Sequence, residues 1–144
     1  MYRSSIASVL AAALFGPLLG STLVYSQCGV NVIIVAGRVD QPPSDATVRV
    51  QLVYATPQHQ ESGETTLEAG RFTLQVPFLT QSRAPVLSLF AKCDRKPKAV
   101  TVTLLDGHQG REYDRVSLDL AKDFKKSDPS AYVLRSELEL SGTR

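Results

Sequence analysis

Apolar and polar residues alternate with a period of two in five stretches, the pattern of strands that bury one face. Val48, Val50, Leu52 and Tyr54 alternate with Thr47, Arg49, Gln51 and Val53. Phe72, Leu74 and Val76 alternate with Arg71, Thr73 and Gln75. The pattern recurs at Val100, Val102 and Leu104, at Val116, Leu118 and Leu120, and from Tyr132 and Leu134 to Leu138 and Leu140. A weaker strand is expected at residues 65–67. Residues 30–39 and 86–92 are apolar on both faces and rich in β-branched residues, so they read as central strands. Turn-forming clusters separate these runs at residues 40–45, 56–63, 68–70, 77–85, 94–98 and 106–110. Leu120 and Phe124 stand four apart in the helix-compatible stretch 118–126, which Asp128-Pro129 ends. At most one or two helical turns are expected there. The spacing predicts an all-β antiparallel sandwich of seven to eight strands in one domain, residues 27–144.

The amino terminus departs from this pattern. Arg3 precedes an apolar run over residues 6–19, and Val24-Tyr25-Ser26 places Val at −3 and Ser at −1 of a signal-peptidase site. Residues 1–26 are therefore expected to be a cleaved secretory signal, leaving a secreted chain that begins Gln27-Cys28. The run falls short of the roughly 20 apolar residues that span a bilayer, so no membrane association is expected after cleavage. The formal charge of +2 falls by one when Arg3 leaves, which gives no electrostatic footprint for nucleic acid. Both cysteines, Cys28 and Cys93, lie beyond the cleavage point. An oxidising compartment favours a disulfide between them.

The order of elements is similar to the transthyretin-like secreted domains best known from nematodes. The residues that carry the likeness are Gly37-Arg38-Val39, the strand 46–54, Thr65-Thr66, Gly70-Arg71-Phe72-Thr73-Leu74, Pro85-Val86-Leu87 leading to Lys92-Cys93, Tyr113-Asp114 and 118–124. The resemblance implies an immunoglobulin-like sandwich scaffold rather than a particular activity. The hormone-binding and purine-pathway residues of other transthyretin relatives have no counterpart in this chain. Simple alternation of strand direction would put Cys28 and Cys93 at opposite ends. A six-residue strand spans about 20 Å, whereas a disulfide needs Cα atoms within about 7 Å. Either the 65–67 strand is not a full crossing, or residues 28–32 fold back, or the bridge does not form.

Candidate chemistry is sparse. His59 and His108 each stand in a polar loop, without the His, Cys and carboxylate cluster that a metal needs. No nucleophile–base constellation or Gly-x-Ser-x-Gly is present. No enzyme, metal or cofactor is expected. Lys92, Arg95, Lys96 and Lys98 form a basic patch that Lys122, Lys125 and Lys126 could extend. It reads either as an anion site or as solvated charge that protects a strand edge. Loops 56–64, 77–85 and 106–111 are expected at one end, where they could present a binding surface. Phe78 and Leu79, placed outside a strand, read as an exposed anchor for a partner or, as favoured, a plug closing the core. As an anchor they would act with Gln81, His59 and His108.

The expected function is a secreted, non-catalytic binding protein, similar to the small effectors released by plant-pathogenic microbes. It would engage an extracellular partner, in its most concrete form a host papain-like cysteine protease, blocked by loops in the manner of chagasin-type inhibitors. The alternatives are a carrier of a small apolar ligand, by analogy with transthyretin, or a cell-wall or matrix protein using the basic patch.

Overall fold

The computed structural model describes residues 29–55, 60–80 and 96–143. The expected signal at 1–26, Cys28, Cys93, the expected strand at 86–92, and His59, Gln81, Lys92 and Arg95 lie outside the described residues.

The described chain forms β1 (Gly29–Asp40), β2 (Ala46–Val53), β3 (Ser62–Thr66), β4 (Arg71–Thr80), β5 (Ala99–Asp106), β6 (Glu112–Asp119), α1 (Leu120–Asp123), β7 (Phe124–Asp128), β8 (Ala131–Leu134) and β9 (Leu138–Ser141). One sheet has the order β4-β1-β8-β7, with β9 also on β1; the other has the order β3-β2-β5-β6. The all-β sandwich with one short helical turn is thus the observed architecture, with nine strands among the described residues rather than seven to eight. Two pairings, β1 with β8 and β1 with β9, are parallel.

Period-two alternation becomes the two inner faces. Val48, Val50 and Leu52 of β2 and Val100, Val102 and Leu104 of β5 are fully buried from one sheet. Ile33 and Val35 of β1 and Phe72, Val76 and Phe78 of β4 meet them from the other. Each such burial contributes roughly 1.5–3 kcal/mol before entropy is counted. β1 is a central strand as its two-faced apolar sequence predicts, flanked by β4 on one side and by β8 and β9 on the other.

Two expectations about elements are corrected, and the helical turn, within the one or two expected, is found to end before Asp128-Pro129. The stretch 132–140 is two strands, not one: it pairs with β1 at Val32–Ile34 and again at Gly37–Asp40, and residues 135–137 step away between. The Arg135 amide there donates to the Asp123 carbonyl. Helix α1 stops at Asp123, because Phe124 takes an extended conformation and buries its ring while pairing with Leu134. Finally, residues 77–80 are not loop. They continue β4, and Phe78 is 2% exposed, with its ring centroid 6.1 Å from that of Tyr132.

Candidate functional site

Strand directions define the two ends of the sandwich. β1 and β5 both start at one end, since Gly29 pairs with Thr80 and Ala99 with Val53. That end holds Val30, Tyr54, Glu61, Leu79, Lys96 and Lys98. At the other end Ala46 pairs with Asp106, and the His108 Nε2 lies 2.8 Å from Asp45 Oδ2. The expected cluster of three loops is therefore corrected. The 106–111 loop, with His108, lies at the opposite end from residues 60–61 and Leu79, because β5 runs antiparallel to β2. The same geometry bears on the cysteines. Gly29 and Lys96, the described residues nearest to Cys28 and Cys93 along the chain, both lie at the Val30 end.

The Val30 end carries the larger apolar feature. Val30 is 56% exposed, and its cross-strand partner Leu79 is half-buried. Both belong to the outer face of their sheet, since alternate residues Ile33 and Val35 point inward. Val32, Ile34 and Val133 continue that outer face, all half-buried. Beside it, Pro77 and Leu79 form the apolar side of an open groove of about 580 Å³, with Gln60, Glu61 and Ser62 on its polar side. Glu61 is held at two points. Its carbonyl accepts from the Leu52 amide at 2.8 Å, and its carboxylate accepts from the Tyr54 hydroxyl at 2.6 Å. The Tyr54 ring is buried, so this polar side is tied to the core.

Phe78 contributes to the groove only from within, because its ring belongs to the core. It is not an exposed anchor; Leu79 and Val30 are the residues that reach the surface. Val30 was not among the residues singled out in the sequence, and its place in a strongly apolar run gave no sign that it would be left uncovered.

The opposite end is polar. Asp106 Oδ1 accepts from the His108 amide at 2.9 Å and from the Gln109 amide at 3.3 Å. These donors hold the Asp106 carboxyl below the usual carboxylate range, the His108 amide contributing most. His108 and Asp45 are both well exposed, with side-chain accessibilities of 76% and 66%. Such a pair is ordinary surface chemistry. Among the described residues no group of three or more His, Cys, Asp and Glu side chains is placed to hold a metal ion. None of their helices is long and apolar enough to cross a membrane.

The basic patch is brought together in part. Lys96 and Lys98 sit at the Val30 end, and the Lys98 carbonyl accepts from the Leu120 amide, which brings α1 alongside. Compared with known proteins, the chain matches no family model, no curated protein and no solved structure.

Proposed function

We propose that the chain is an exported, non-catalytic binding protein that engages an extracellular partner protein through the apolar surface at its Val30 end. The observation that carries the reading is the juxtaposition of exposed Val30 and half-buried Leu79 with a groove whose polar side is anchored to the core through Glu61 and Tyr54. Apolar side chains left uncovered beside a fixed polar rim are what a partner's side chains fill. The filled interior supports binding at the surface over carriage of a small apolar ligand inside, since side chains of both sheets occupy the space between them. The likeness to transthyretin-like secreted domains enters this proposal only as a scaffold.

In its most concrete form the protein occludes the cleft of a papain-like cysteine protease. Such an inhibitor blocks access and needs no reactive residue of its own. The test is retention of extracellular proteins on the immobilised chain, followed by inhibition assays on any hydrolase retained. Stoichiometric inhibition supports the proposal; slow turnover of a small apolar compound, or retention of no protein at all, contradicts it.

A further inference from the structure

Every lysine of the chain lies between residues 92 and 126. The five within the described residues, Lys96, Lys98, Lys122, Lys125 and Lys126, are all exposed, and they lie on segments that neighbour one another. The Lys98 carbonyl accepts from the Leu120 amide, two residues before Lys122. The Lys96 ammonium lies 4.9 Å from the centre of the Tyr132 ring. Tyr132 is the cross-strand partner of Lys126, and Val133 that of Lys125. β7 is the outermost strand of its sheet, so nothing in that sheet lies beyond these two lysines.

Of the six arginines among the described residues, three are in ion pairs with carboxylates. Arg38 pairs with Glu139, Arg49 with Glu64 and Arg115 with Glu112. No lysine among the described residues forms such a pair. The carboxylates nearest the lysines are folded back on their own backbone. Asp119 accepts from the Ala121 and Lys122 amides, Asp123 from the Asp119 amide, and Asp128 from the amide and hydroxyl of Ser130.

We infer that this edge binds a linear anionic polysaccharide, its sulfate or carboxylate groups meeting the ammonium groups on both faces of the edge strand β7 and on the segments beside it. Lysine is a hydrated point charge on a flexible stem, suited to a repeating polyanion without bidentate geometry. A folded protein partner fits less well, because lysine is depleted in protein interfaces and anchors there are Trp, Tyr and Arg. Single-stranded nucleic acid is read by stacking on aromatic faces, and here the Tyr132 face is covered by Lys96. This inference is independent of the partner proposed for the Val30 surface.

The test titrates the protein with heparin and with polygalacturonate across a range of sodium chloride concentrations, with neutral dextran as control. The wild type is expected to bind at least one of the two anionic polymers, more weakly as salt rises, and to ignore dextran. The triple variant Lys122→Gln, Lys125→Gln, Lys126→Gln is expected to lose about tenfold or more in affinity, with the salt slope falling by roughly two to three. A control variant, Arg38→Gln, Arg49→Gln, Arg115→Gln, removes the same charge elsewhere and should bind within about twofold of wild type. Circular dichroism confirms that both variants are folded. Equal losses in the two variants, no polymer binding by the wild type, or tighter binding to single-stranded DNA or anionic vesicles would overturn the inference.

Discussion

At Gly37 the backbone of β1 is closed in from two sides. A Cβ added there would come within 2.6 Å of the Leu138 carbonyl oxygen and 2.6 Å of the Phe72 ring. Leu138 is its β9 partner and Phe72 its β4 partner, so a methyl group must push apart the pairings that hold one sheet together. Gly37→Ala is expected to lower unfolding free energy by about 2 kcal/mol, read from the midpoint of chemical denaturation at unchanged slope. Charge at the turns acts more gently. Asp106 and Asp128 both titrate below the usual carboxylate range, Asp106 chiefly through the His108 amide and Asp128 chiefly through the Ser130 amide. A depressed carboxyl stabilises the fold fully above its unfolded pKa and loses that contribution as pH falls through the folded value. The double variant Asp106→Asn, Asp128→Asn keeps an acceptor at each turn but removes the titration. Its stability should therefore fall less steeply than that of wild type as the solution is acidified through and below the ordinary carboxylate range. Parallel curves would show that the turns contribute nothing to the acid limb.

At the scale of elements, the β3–β4 connection is a two-residue hairpin in which Glu68 and Arg71 exchange backbone hydrogen bonds of 2.9 and 3.0 Å. Both central residues have positive φ, 50° at Ala69 and 74° at Gly70, the requirement of a type I′ turn. Glycine meets it freely, while alanine crowds its Cβ against the next carbonyl. Ala69→Asn should therefore raise stability by roughly 0.5–1 kcal/mol, measurable as a higher denaturation midpoint. The turn at 68–70 was legible in the sequence because Gly marks it. The inner faces of β2 and β4 were legible because one face is buried and the other largely wet; β5 keeps the alternation of residue types although Thr103 and Leu105 on its other face are buried as well. The stretch 120–140 was not. Leu120 and Phe124 are both buried, as helical spacing requires, but Phe124 reaches the core from a strand, an outcome set by its pairing with Leu134. Likewise the alternation of 132–140 keeps its phase on both sides of the place where the chain leaves β1 and returns to it, and only Ser136, polar at an apolar-phase position, marks the break.

At the scale of the molecule, the two ends of the sandwich differ in chemistry. One presents short polar turns around Asp45, Asp106 and His108; the other presents Val30, Leu79 and the anchored Glu61, with the lysine edge nearby. The residue types of this second end were readable, but their assembly was not. Leu79 and the lysines stand out in the sequence, whereas Val30 does not. Which loops share an end depends on β5 starting beside Val53, a pairing between distant segments that no local pattern encodes. The continuation of β4 to Thr80 likewise rests on its pairing with β1, which draws Phe78 into the core and leaves Leu79 at the surface. The central claim is that this apolar end is where a partner binds. The most direct measurement compares retention of extracellular proteins by wild type and by the variant Val30→Asp, Leu79→Gln, with both shown to be folded. The account predicts a partner retained by wild type and weakened by about tenfold or more in the variant, the loss of a central anchor. Equal retention of the same partner by both proteins would contradict it.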